Sequence, residues 1–276
     1  MGKYARALEL HSQTQEKNGG AIFQERDSQW REPQSATQQE ADNTAADTDG
    51  RVLRSASKVP WLFHLAPALR EGYLRLSRNL LLSSNGRELK TLVLTSPEEQ
   101  AERAFVAAEF AAVLAADLGR KVLLVDGDSD RSTLTRIFGR SKHLGLREIL
   151  LTGKSVSGSP IDLRCPGLVF LPSGVERPEF VLVPSAFQEW ERRVRESFDY
   201  LLIDTPPLSR TADGALLGKH ADGVILVAQA ERSDRALLAA TREQMEKAQC
   251  HVLGVVLTHT KDYVPYFFRR YVSSEK

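Results

Sequence analysis

From residue 91 onward the chain carries apolar runs of strand length: TLVLT (91–95), KVLLVD (121–126), LVFLP (168–172), YLLID (200–204), GVILVA (223–228) and VLGVVLT (252–258). Each is near-continuous rather than alternating, the pattern of strands buried on both faces of a sheet. Between most of them apolar residues recur at helical spacing, over 105–118, 186–197, 211–219 and 233–248. EGYLRLSRNLLL (71–82) places Leu74, Arg75, Arg78 and Leu81 at the same period. Strands alternating with helices predict right-handed βαβ units. The fold class is therefore α/β: a doubly wound, mostly parallel sheet with helices on both faces, in three layers. No internal repeat is visible. In such sheets ligands bind beyond the carboxyl ends of the strands.

The N-terminal part reads differently. Residues 11–50 are rich in Gln, Asn, Ser and Asp and poor in branched apolar residues, so they cannot bury enough surface to offset their ordering entropy. KYARALEL, over 3–10, has the pattern of a short helix that orders only when docked. The expected division is a mostly disordered segment at 1–58, an α/β domain at 59–260 and an aromatic-basic tail at 261–276. The cluster VPWLFHLAP (59–67), with Trp61, Leu62, Phe63 and Leu65, either packs on the domain or docks a partner.

Composition narrows the class further. A length of 276 residues is long for one domain and short for two. A formal net charge of +1 gives no basic face for nucleic acid. Cys165 and Cys250 are far apart and suit structural thiols in a reducing compartment. The N-terminus lacks the apolar run of a signal peptide. No window reaches about 18 uncharged apolar residues, so no transmembrane span is expected and the reading is cytoplasmic. His143, His220, His251 and His259 show no metal-ligand spacing, and there is no G-x-S-x-G elbow.

Chemistry concentrates at the strand ends. VDGDSD closes the second run with Asp126 and Asp128, and IDTPP closes the fourth with Asp204. Acids after apolar strands order magnesium in phosphate-transfer sites; they also serve as plain turn residues. Both readings stand on the sequence alone.

From about 70 to 260 the chain resembles the cytoplasmic bacterial tyrosine autokinases of capsule and exopolysaccharide systems, which have the P-loop NTPase fold of the deviant-Walker, septum-site and partition-type ATPases. The resemblance is carried, in order and spacing, by EGYLRLSRNLLLSS, ELKTLVLTSP, GRKVLLVDGDSDRSTLTRIFG, GLREILLTG, LVFLPSG, FDYLLIDTPP, ADGVILVAQAERS and LGVVLT. It implies a second Walker-type motif at Asp126 and Asp128 and a Walker B acid at Asp204. These three would be the catalytic acids of an active member, with Asp126 and Asp204 as metal ligands. Arg103 and Thr258 would join them in a residual nucleotide site.

The family also places a loop of the form GxxGxGK[ST] after TSP. Here Glu98, Gln100 and Glu102 stand at the glycine positions, Arg103 at the lysine and Ala104 at the magnesium-ligating hydroxyl. Glycines let backbone N–H groups converge on phosphate, whereas glutamates repel it. Arginine keeps a charge in a larger, differently shaped head group. SPEE (96–99) supplies helix-start chemistry instead: Ser96 as N-cap, Pro97 at the first helical position and Glu99 closing a capping box. The expectation is a helix from Pro97 to about Leu118 with Gly119 as its stop. The alternative is a variant loop that still binds ATP.

Two further departures bear on assembly. Active relatives carry E-x-x-R-x-x-R on the first helix and form rings; here Glu71 is kept but the arginines sit at Arg75 and Arg78, the pattern of a solvated helix face. The tail, THTKDYVPYFFRRYVSSEK, holds Tyr263, Tyr266 and Tyr271. These are phosphoacceptors by resemblance, an aromatic-basic membrane patch, or residues that pack on the domain. The resemblance implies a catalytically degenerate relative acting as a regulatory or scaffolding subunit in exopolysaccharide biosynthesis and export, with no cofactor. Its partners would be a membrane-embedded chain-length protein and an active tyrosine kinase, placing it at the inner face of the cell membrane. The alternatives are an active ATP- and Mg-dependent tyrosine kinase with an unusual phosphate loop, and a positioning-ATPase-like adaptor unrelated to polysaccharide.

Overall fold

The computed structural model describes residues 44–46, 52–55, 64–84, 86–100, 102–128, 130–140, 143–153, 160–175 and 181–260. Its strands are β1 (Thr44–Ala46), β2 (Val52–Ser55), β3 (Thr91–Thr95), β4 (Val122–Asp126), β5 (Ile161–Cys165), β6 (Leu168–Leu171), β7 (Tyr200–Asp204), β8 (Gly223–Gln229) and β9 (Val252–Thr258). Its helices are α1 (Pro67–Ser83), α2 (Glu102–Ala116), α3 (Thr133–Ile137), α4 (Leu146–Thr152), α5 (Pro184–Val194), α6 (Asp213–Gly218) and α7 (Arg235–Lys247).

All strands join one sheet in the order β1-β2-β5-β6-β4-β7-β3-β8-β9. From β6 to β9 neighbours run parallel, as the apolar runs predict. β5 turns back antiparallel on β6. It escapes the sequence pattern because its residues alternate between buried and half-exposed. β1 and β2 extend the edge beyond β5 and lie within the 1–58 segment. An edge pairing is made by main chain, so it asks little of side-chain pattern. The rest of that segment lies outside the described residues. So do the 3–10 helix, Trp61, Leu62, Phe63 and the tail with Tyr263, Tyr266 and Tyr271. Leu65 is described, and it is buried.

The sheet separates two cores. On one face α1 and α2 bring Tyr73, Phe110 and Leu114 against Leu92, Leu124 and Leu202. On the other, α5, α6 and α7 bring Phe187, Trp190, Leu217 and Met245 against Val93, Ile203 and Leu226. Every residue of α2 from Arg103 to Ala115 is buried, as expected of a helix with no polar stripe. Across the α1–α2 contact, Tyr73 Oη donates to Glu109 Oε2 at 2.8 Å. Gly119, at φ +63°, ends the helix: the Leu118 and Arg120 N–H groups turn back to the Val113 and Leu114 carbonyls, the left-handed stop expected there. Cys165 and Cys250 are free and buried. No helix among the described residues is long and apolar enough to cross a membrane.

Candidate functional site

β4, β7 and β3 lie side by side, so the loops that leave their carboxyl ends converge. Asp126 and Asp204 are direct partners across β4 and β7, and Leu94 of β3 sits beside Asp204 on its other side. Gly127 makes the close approach possible. Its N–H donates to the Asp204 carbonyl at 2.8 Å, and a Cβ there would meet that oxygen at 3.0 Å. The sheet thus delivers Asp126, Asp128 and Asp204 to one crest, all fully buried.

Three carboxylates are buried side by side, and arginines pair with two of them, Asp128 and Asp204. Arg103, in the first turn of α2, is 2% exposed. Its Nε donates to Asp204 Oδ1 at 2.5 Å, and its Nη2 to Asp204 Oδ2 at 3.3 Å and Asp128 Oδ2 at 3.5 Å. Its remaining nitrogen, Nη1, is buried without an acceptor. Arg210, in the loop after β7, donates from Nη2 to both Asp128 oxygens at 3.0 Å and from Nη1 to Glu99 Oε2 at 2.6 Å. Its Nε lies 3.0 Å from Asp130. Arg131 reaches the other Glu99 oxygen at 3.2 Å. Such charge-assisted, forked contacts are strong and directional.

Asp126 takes no part in these ion pairs. Its Oδ2 accepts from the Thr135 N–H and hydroxyl, both at 2.7 Å, and its Oδ1 from the Asp128 N–H at 3.0 Å. Burial pushes its pKa up to about 7, with the neighbouring charges of Asp128 and Asp204 acting the same way and the Thr135 hydrogen bonds opposing. Burial also raises Asp204, against the pull of Arg103. Burial works against the charge of Arg103, but Asp204, Asp128 and Glu99 together outweigh it and hold the guanidinium above its ordinary value.

The helix expected from Pro97 does not form there. α2 begins at Glu102, and residues 96–100 are a loop. Tertiary contacts override the local signal. Ser96 Oγ donates to the Glu98 carbonyl at 2.7 Å rather than capping a helix. The Ser96 and Pro97 carbonyls accept from the Leu208 and Ser209 N–H groups. Glu99 goes to Arg210 and Arg131 rather than into a capping box, and Gln100 donates to Ser233 at 2.8 Å. Glu102 lies 3.5 Å from His259.

The chain matches no family model. Over 183 residues it is 31% identical to the tyrosine-protein kinase CpsD of Streptococcus agalactiae serotype III (strain NEM316), a match spanning 65% of this chain and 78% of CpsD. The chain belongs to the family of bacterial tyrosine-protein kinases. Another member, EpsB of Ralstonia solanacearum, is 33% identical over 185 residues; the match covers 66% of this chain but 24% of EpsB, so the chain spans a quarter of that relative's length. Among solved structures, the chimerical protein CapA2B2 superposes with a TM-score of 0.64 at 27% identity, covering 70% of this chain and 85% of that one. The fold is that of the P-loop NTPase-like kinase domains of this family.

Within that family fold, Asp126, Asp128, Asp204 and Arg103 come together as one cluster. Thr258 does not join them: at the end of β9, its hydroxyl donates to the Ala228 carbonyl at 3.4 Å. No group of three His, Cys, Asp or Glu side chains arranged to hold a metal occurs among the described residues. Glu71 pairs with Arg78 at 2.7 Å on the exposed face of α1, the solvated-face arrangement. Sequence reasoning missed Arg210, Arg131 and the part played by Glu99. The available signal was the excess of acids on one crest, which calls for more cations than Arg103 alone.

Proposed function

We propose that the chain is a catalytically degenerate member of the bacterial tyrosine-protein kinase family that acts as a regulatory or scaffolding subunit in exopolysaccharide or capsule biosynthesis and export. The observation that carries this reading is the Arg103 guanidinium paired with both Asp204 and Asp128. The fold family implies magnesium and ATP, and the residues present do not fit them. A guanidinium takes up Asp204, one of the two acids that would order the metal, and Ala104 offers no hydroxyl. Glu99, tied to Arg210 and Arg131, sets a carboxylate in the loop where phosphate would lie. By resemblance, the partners are a membrane-embedded chain-length protein and an active tyrosine kinase, met at the inner face of the membrane.

One observation favours the second reading, an active ATP- and Mg-dependent tyrosine kinase: residues 96–100 keep the form of a loop in front of α2. Thermal melts with millimolar Mg-ATP and Mg-ADP separate the two, because a ligand that binds only the native state raises its stability with saturation. The expected result is no shift. A clear rise that Asp204→Ala abolishes would overturn the degenerate reading in favour of the kinase.

A further inference from the structure

At the pole opposite the carboxylate cluster, where β3 and β7 begin, a half-open cleft of about 170 Å³ lies between the last turn of α1 and the strands. Its lining includes the buried Leu80 and Leu92 and the half-buried Leu89 and Tyr200. Leu81 lines its rim while remaining 64% exposed, and the neighbouring Leu82 is 78% exposed on the end of α1. The crevice chemistry does not account for this arrangement.

Size decides what it can take. Sites for cofactors or drug-sized molecules measure about 300–1,000 Å³, whereas a cavity of about 150 Å³ accommodates one benzene-sized group. The cleft therefore has room for one bulky apolar side chain. Charge decides what surrounds that side chain. Of the acids at the cleft, Glu88 lies 3.5 Å from Lys90 Nζ, while Asp199 accepts the Lys121 backbone N–H, which carries no countercharge, at 2.8 Å, so the lining carries two acids against three bases. Arg87 and Arg120 are exposed at the cleft, with no ion pair among the described residues.

We propose that this cleft docks an acidic peptide: an extended segment in which one aromatic or branched apolar side chain is flanked by carboxylates. The side chain fills the cleft and Leu81 and Leu82 cover its outer edge. The Arg87 and Arg120 guanidiniums take the flanking carboxylates in forked pairs. A lipid surface would meet Leu81 and Leu82 but leave the concavity unfilled, which favours the peptide. The proposal holds whether or not the distant crevice binds nucleotide, so the outcome of the Mg-ATP melts does not affect it.

The test uses the full chain and a fluorescein-labelled peptide, Gly-Asp-Glu-Phe-Glu-Asp-Gly, followed by fluorescence anisotropy, with the same peptide carrying Ala for Phe as control. Saturable binding is expected, lost with the Ala peptide and weakened about tenfold or more, equivalent to about 1.4 kcal/mol, in the Arg87→Glu/Arg120→Glu variant. Both positions are exposed, so the variant should melt like the parent, and a Leu81→Ser/Leu82→Ser variant provides an independent check on the apolar edge. Absence of binding at millimolar peptide, or binding indifferent to both variants, would overturn the proposal. So would sedimentation with phosphatidylglycerol vesicles that depends on these residues while the peptide fails to bind.

Discussion

Removing the Arg103 guanidinium leaves Asp204 buried and charged without its nearest cation. Breaking a buried pair in this way costs about 3–5 kcal/mol, because the partner's desolvation is no longer compensated. Arg103→Ala should therefore lower the free energy of unfolding by that order. Asp204→Ala should also be costly, and the double variant should lose clearly less than the sum. Urea unfolding of the four proteins measures the coupling; strict additivity would mean that the pair contributes nothing as a pair. Asp126 makes a prediction of different form. Its folded-state pKa of about 7 exceeds the ordinary carboxylate value, so the native state holds this proton more tightly than the unfolded chain. The resulting stability is whole below about pH 4 and is lost as pH rises through about 7. Asp204, raised by burial, acts in the same direction. Melting temperature should fall between about pH 4 and pH 7 and level off above that, and Asp126→Asn should flatten that fall. An unchanged slope in the variant would assign the effect to other groups.

At the scale of elements, the loop in front of α2 is held by side chains from three segments, so a single substitution should not convert it. Arg103→Lys keeps Glu99 on Arg210 and Arg131 and keeps non-glycine residues at 98–102. ATP hydrolysis by that variant is expected to stay at background, whereas replacing residues 98–104 as a block with the glycine-rich family loop is the change able to raise it. Robust turnover from Arg103→Lys alone would show that the loop already had the required shape. This loop also marks the boundary of what the sequence disclosed. Five of the six parallel strands were legible because burial on both faces writes itself as unbroken apolar runs; β9, at the edge, carries the same kind of run although none of its residues is fully buried and Val255 and Leu257 are exposed. β5 was not legible, since a half-exposed hairpin strand alternates. The start of α2 was misplaced because SPEE satisfies every local helix rule, while Glu99 is claimed by arginines 32 and 111 residues further on. The three acids were legible as strand ends. Arg210 was not, because nothing in PPLSRTADG distinguishes a crevice arginine from a surface one.

For the molecule as a whole, both cores lie between residues 65 and 256, so the domain should fold without its tail. A chain lacking residues 261–276 is expected to melt cooperatively near the full-length temperature, while its co-purification with a membrane-embedded chain-length protein weakens. A much lower melting temperature with unchanged co-purification would make the tail part of the core. The arginine-filled crest has one more consequence at this scale. A cycle of ATP binding and hydrolysis would let a protein keep time and respond to the nucleotide supply. If, as proposed, no nucleotide binds, a crest whose countercharges are its own arginine side chains has no such clock. On that reading it would present the same surface whether ATP is plentiful or exhausted, and any timing in its action would be set by how much of it is made and by which partners are at hand to bind it.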